Sequence, residues 1–323
     1  MKVVVGATQF RRFAWALLGW NVLVVVWGGF VRASGSGAGC GSHWPTCNGD
    51  VVPHSPQIAT MIEFTHRLMS AGALLGVALL CWWAFQVFPR GHTVRRLAAS
   101  SVGLLLLEAL LGAGLVLFNY VAKDASVGRV IYLCAHLVNT QLLLAALALT
   151  AWYAADHKAE KFPRNARSGG VTAALAFVLV VSVTGVIAAL GDTLFPASSL
   201  AQGMQQDFSP ASSFLVRLRA LHPAFAVASG VYILALMMKL MKPDQGRGVR
   251  TLARWAALAV FIQLCAGAVN IALLAPVWMQ LVHLLLANLV WISLVLLRYQ
   301  GVARRELIPK PAEVVQTQRV RAV

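Results

Sequence analysis

Four histidines, His66, His136, His222 and His283, each stand near the start of an even-numbered apolar stretch long enough to cross a bilayer. Ionisable side chains inside a membrane are costly and are usually kept for function. Neutral imidazole ligates iron, zinc or copper. One such histidine alone is most simply a polar group bonded to a neighbouring helix. Four at matching positions point instead to two bis-histidine sites. Zinc takes four protein ligands, or three and a water. Two imidazoles on opposite faces of a planar macrocycle complete a six-coordinate haem. Pairing His66 with His136, and His222 with His283, gives one haem in each half of the chain.

The halves differ beside the first histidine. The N-terminal run is Glu63-Phe64-Thr65-His66-Arg67, and its counterpart is Arg219-Ala220-Leu221-His222-Pro223. Glu63 precedes His66 by three residues, so the two share a helix face. A carboxylate therefore stands over one macrocycle and not over the other, which predicts one haem that is worked on and one that serves it. The structural alternative is an ion pair between Glu63 and Arg67 one turn on. Arg67, Arg217 and Arg219 are candidates for charge-assisted bonds to haem propionates. Glu108 is the only other carboxylate well inside an apolar stretch, and its counterpart is the uncharged Gln263. Hydrogen bonding between helices is the simpler role for Glu108.

These residues need helices to hold them. The 323-residue chain is 59% hydrophobic and 12% charged, with a mean hydropathy of +0.72, which excludes an ordinary soluble domain. Eight apolar stretches run roughly over 13–31, 64–88, 97–118, 131–153, 170–190, 218–240, 253–275 and 279–298. The fold class is therefore all-α and polytopic, with eight transmembrane helices. A secretory signal over residues 1–35 is the alternative for the first stretch. It would leave an odd span count and set the C-terminus against the charge distribution.

The net charge of +16 invites a nucleic-acid partner, but its placement argues for topology. Basic residues gather in the N-terminal segment (Lys2, Arg11, Arg12) and after span 2 (Arg90, Arg95, Arg96). They gather again after span 4 (Lys158, Lys161, Arg164, Arg167), after span 6 (Lys239, Lys242, Arg247, Arg250, Arg254) and in the tail from Arg298 to Arg321. The positive-inside rule makes that side cytoplasmic, with both termini inside a cell's cytoplasmic membrane. The bilayer is the partner this charge fits, and no nucleic acid is expected.

The halves repeat at an offset of about 155 residues. His66 matches His222, His136 matches His283, Gly29 matches Gly185, and Glu108 with Gly112 matches Gln263 with Gly267. Four spans in each half give both the same orientation, so the repeat is parallel. The expected architecture is two pseudo-symmetric four-helix bundles side by side, over residues 1–155 and 156–300. A basic cytoplasmic tail follows over 301–323. Gly112, Gly114, Gly267 and Ala268 would let helices approach closely.

The loop within 32–60 is rich in glycine and holds Cys40 and Cys47, the only cysteines outside the spans. The charge rule places it in an oxidising compartment, where a disulfide is expected. A metal site using Cys40, His43, Cys47 and His54 is the weaker rival. Cys81, Cys134 and Cys265 lie in spans as small apolar residues.

The Glu-x-x-His-Arg run at 63–67, the Gly-Ser-Gly loop with Cys40, Trp44-Pro45 and Cys47-Asn48-Gly49, and the four histidines resemble the haem A synthase family. The resemblance covers about residues 12–298. It implies oxidation of the C8 methyl of haem o to a formyl group, giving haem a for terminal oxidases. It also implies substrate haem o between His66 and His136, haem b as cofactor between His222 and His283, and an essential Glu63. Cys40 and Cys47 would match the outer-loop pair that assists haem handling. Implied partners are a haem o synthase, terminal-oxidase assembly factors and an electron donor that the sequence does not identify. Some members carry a second cysteine pair between spans 5 and 6, whereas residues 191–217 here contain none. The rival classes are a non-catalytic dihaem b-type cytochrome, a disulfide-generating redox protein and a transporter. Only the synthase reading accounts for a carboxylate in one half alone.

Overall fold

The computed structural model describes residues 2–54, 56–155 and 166–300, with side chains from Gly6 onward and, in the second half, from Gly169. The side chains of Lys2, Lys158, Lys161, Arg164 and Arg167, and the whole tail 301–323, lie outside the described residues. Among the described residues there are ten α-helices and no named strand. They are α1 (Lys2–Ala33), α2 (Ile58–Val87), α3 (Thr93–Leu117), α4 (Val127–Tyr153), α5 (Ala166–Leu194), α6 (Leu200–Phe208), α7 (Phe214–Arg219), α8 (Leu221–Leu240), α9 (Arg247–Ala272) and α10 (Val277–Gln300). Eight helical segments are long and apolar enough to cross a membrane, with α7 and α8 together forming the sixth.

The helices outrun the apolar stretches at most of their ends. Polar positions at a helix end keep helical backbone while their side chains reach water, so hydropathy alone underestimates length. Thus α1 continues back past Arg11 and Arg12, and α2 begins at Ile58, ahead of the apolar run. Ser126 caps α4 by accepting from the Arg129 amide. Span 6 departs from the expectation of one continuous helix. Pro223 has no N–H to give to the Arg219 carbonyl and its ring crowds that turn. The span breaks there into α7 and α8 around Ala220. Arg67 occupies the corresponding place in span 2, which runs unbroken.

Within the first half α1 packs on α2, α2 on α3, α3 on α4 and α4 back on α1. Within the second half α5 packs on α8, α8 on α9, α9 on α10 and α10 back on α5. The two rings join where α4 meets α5 and α10, and where α1 meets α10. Helices α4 and α10 are consequently the most enclosed. At their contact the buried Gln141 donates to Asn288 Oδ1 at 3.3 Å, and Trp291 Nε1 donates to the Gln141 carbonyl at 2.7 Å. Large apolar side chains such as Leu75, Leu110, Val231 and Trp255 are exposed around the outside, as a bilayer-facing surface requires.

Candidate functional site

Each of the four histidines lies in the first half of its span, and each ring packs against one glycine of another helix. A Cβ at Gly28 of α1 would stand 3.0 Å from His66 Cε1, and one at Gly185 of α5 would stand 2.9 Å from His222 Cε1. A Cβ at Gly112 of α3 would meet His136 Nε2 at 3.6 Å, and one at Gly267 of α9 would meet His283 Cε1 at 3.1 Å. The odd-numbered spans thus give up side chains where the even-numbered spans present imidazoles. Gly112 and Gly267 were legible as small residues, but their role as ring cradles was not. Gly28, rather than Gly29, backs His66, because Gly29 is turned toward Leu281 and Leu284 of α10.

In the second half the imidazoles of His222 and His283 lie next to one another. His222 and His283 have ring centroids 6.3 Å apart and planes at 88°. Two imidazoles side by side on facing helices are residues that could hold one flat metal-bearing group. His66 and His136 are close enough in the first half to interact electrostatically. Nδ1 of His66 and of His283 is buried and bonds to nothing among the described residues, while His222 Nδ1 lies 3.2 Å from Thr184 Oγ1. Buried imidazole nitrogens without partners, in cradles that a single methyl would crowd, suit paired ligation of a flat group. Among the described residues no three of His, Cys, Asp or Glu converge on one point. Two imidazoles in each ring of helices is a donor set that fits haem iron.

The first outer loop packs on the start of α2, the helix that carries His66. Cys40 and Cys47 form the expected disulfide. His43 and His54 are not drawn into a metal cluster with them, and His54 instead contacts the exposed Asp50. The loop presses on the start of α2. A side chain at Gly39 would collide with the backbone of Ala59 and Thr60, and Thr60 Oγ1 donates to the Gly39 carbonyl at 2.7 Å. The Cys40 amide donates to Glu63 Oε2 at 2.9 Å. Arg67 Nη2 is 2.5 Å from Glu63 Oε1, and Arg67 Nη1 also donates to the carbonyls of His43 and Thr46. Glu63 is buried, at 3% exposure. The Glu63–Arg67 ion pair that the sequence offered as the structural alternative is present, and it serves to clamp the disulfide loop onto α2.

The propionate candidates are placed unequally. Arg67 is spent on Glu63 and the loop. Arg219 holds Asp207 at 2.5 Å and Asp192 at 3.1 Å and also reaches the Gly203 carbonyl, so it ties α7 to α5 and α6. Arg217 is exposed. Sequence reading missed Arg32 and Arg129. Arg32 crosses between the halves to the Ala189 carbonyl, Thr193 and Gln280, each at 2.8 Å. Arg129 is buried on α4 and bonds the carbonyls of Ala122 and Asp124. An arginine inside the first or last turn of a span is the signal that could have found both.

Fold and site together define a polytopic membrane protein with two helix rings, each presenting a pair of imidazoles. The chain belongs to the COX15-CtaA family, described as cytochrome oxidase assembly protein, whose model matches residues 11–295. It is 44% identical over 304 residues to a protein named protoheme IX farnesyltransferase from Thermus thermophilus, covering 92% of this chain and 49% of that one. It is 37% identical over 98 residues to a heme A synthase of Alkalihalophilus pseudofirmus, covering 30% of this chain and 33% of that protein. Over 98 residues it is 40% identical to a heme A synthase of Shouchella clausii, with the same shares covered. The chain spans about half the length of the Thermus relatives it matches.

Proposed function

We propose that this chain is a haem A synthase, an oxidoreductase that converts the C8 methyl of haem o to a formyl group. The reading supposes two successive hydroxylations of that methyl, each adding one oxygen atom and passing two electrons from the substrate to an external oxidant, the geminal diol then losing water to leave the aldehyde. Substrate haem o sits between His66 and His136 in the N-terminal half, residues 1–155. Haem b sits between His222 and His283 in the C-terminal half, residues 156–300. When bound, haem b supplies one-electron redox chemistry. The chain's own residues bind, orient and enclose. The glycine cradles admit the imidazole rings, and the disulfide loop is clamped to α2 at Glu63 and Arg67, beside His66.

The observation that carries the reading is that a buried carboxylate, Glu63, stands one turn before His66, while Arg219 stands in its place before His222. Glu63 holds or moves a proton at Oε1 or Oε2, and Arg67 and the Cys40 amide fix its position as hydrogen-bond donors. Family membership and the similarity to proteins named heme A synthase support the same reaction. The Thermus relatives, whose name is that of a farnesyltransferase, support a neighbouring reaction that supplies the farnesylated haem. The basic loops support a cytoplasmic-membrane location with both termini inside.

One observation favours a second reading, a non-catalytic dihaem cytochrome: both oxygens of Glu63 are already engaged. The parent protein and its Glu63→Gln variant, each made in cells that also supply haem o, separate the two, because only under the synthase reading does the parent yield haem a. Under that reading the variant keeps its haems and yields no haem a. A Glu63→Gln protein that still makes haem a at the parent rate removes Glu63 from the mechanism.

A further inference from the structure

The two pairs of imidazoles differ in what stands behind them. In the first half Glu108 of α3 points its carboxylate at α4, with Oε1 at 2.8 Å from His136 Nδ1. Asn139 Nδ2 donates to Oε2 at 2.5 Å. Thr140 Oγ1 donates to Oε1 or to the His136 carbonyl, sharing its one proton between them. Asn139 and Thr140 follow His136 by three and four residues, so one face of α4 carries the imidazole and both supporting donors. The Oε1 contact lies off the ideal N–H direction of His136. An amide at position 108 would turn an NH₂ toward one of these donors, so the pocket asks for an acceptor at both oxygens.

The second half lacks that construction. Gln263 of α9 lies 3.2 Å from His283 Nε2, the opposite ring nitrogen, and its Oε1 is buried without a partner. Leu286 and Ala287 stand where Asn139 and Thr140 stand in the first half. The repeat has therefore kept the ligand and changed its partner from an anion to a neutral amide.

We infer that Glu108 is a positioning residue for His136: it holds the Nδ1 side, leaves Nε2 free to meet an iron, and lowers that iron's reduction potential relative to the centre at His283. The inference rests on His136 and His283 being axial ligands. A carboxylate behind an imidazole fixes its tautomer and makes it a more electron-rich ligand. Negative charge near the axial ligand favours the ferric state over the ferrous one. A neutral amide does so less. The substrate centre would then be the harder of the two to reduce.

The test is an optical redox titration of the full-length, haem-loaded protein in detergent, with haem content measured on each sample. The signal of the N-terminal haem is the one lost in His136→Ala. Glu108→Gln is expected to move that signal to higher potential and leave the other unmoved. Glu108→Asp is expected to return it toward the parent value. Gln263→Glu is expected to move the C-terminal signal to lower potential, and it decides the question if Glu108→Gln loses its haem. If His136→Ala removes one haem and neither substitution at 108 nor that at 263 shifts a potential, Glu108 is a helix-packing residue and the inference fails. If His136→Ala keeps both haems, the ligand assignment itself fails.

Discussion

At the residue scale the site turns on which polar groups are free and which are already used. Glu63 was legible from its spacing to His66, and so was its alternative role with Arg67. The structure shows the ion pair, with the Cys40 amide as a further partner. A carboxylate held by three donors, the Cys40 amide and two nitrogens of Arg67, keeps a fixed position one turn before His66. Replacing it by Gln preserves an acceptor for Cys40 and removes the charge. Haem A formation is expected to fall by about 100-fold or more, the usual loss when a general acid or base is removed, with haem content unchanged. Chromatography of extracted haems reads both quantities, and unchanged haem A formation would contradict the role. Arg67 and Arg219 looked available for propionates because sequence gives no account of local partners. Both are spent on carboxylates, and Arg67 on loop carbonyls as well.

At the element scale the cradle is the feature that sequence shows least. Hydropathy found all eight spans, and the histidines found their shared depth. The glycine facing each ring depends on helix rotation, which periodicity in a uniformly apolar stretch does not define. Hence Gly28 does for His66 what Gly185 does for His222, whereas the repeat matched Gly29 with Gly185. A Gly185→Val change would drive a branched side chain into His222. It is expected to cut haem from two per chain to one, losing the C-terminal centre alone. A pyridine haemochrome assay against protein concentration checks this, and retention of both haems would show that the ring does not need the cradle. The disulfide loop was legible in its bond but not in its grip on Glu63. Cys40→Ser is expected to cost about 2 kcal/mol of stability for so short a loop and to loosen the Glu63–Arg67 clamp. Thermal unfolding would register the first effect, and faster proteolysis between residues 41 and 47 the second. A loop as resistant as the parent's would show that the clamp stands without the bond. The break in span 6 follows from Pro223, a signal present in the sequence and outweighed there by the continuous apolar run.

At the scale of the whole molecule, two rings of helices meet along α4 and α10, so the two most enclosed helices carry His136 and His283. The buried Gln141, Asn288 and Trp291 bind this seam by hydrogen bonds across the halves. Asn288→Leu is expected to cost about 1 kcal/mol, in the range for hydrogen bonds between membrane helices, while leaving each haem site intact. An unchanged melting temperature would show the seam to be held by apolar packing alone. The sequence read the eight spans, the repeat and four ligand candidates, because composition and spacing carry them. It could not read the contacts between the halves, which lie in side chains brought together from more than a hundred residues apart. The central claim is that one half holds a substrate haem and the other a resident one. It is tested most directly by extracting the haems from membranes of cells that make this protein together with a haem o synthase, beside a Glu63→Gln control. The account predicts haem a with the parent protein, and haem b with unchanged haem o in the control. Haem b and haem o alone from an assembled parent protein would contradict it and leave an electron-transfer cytochrome.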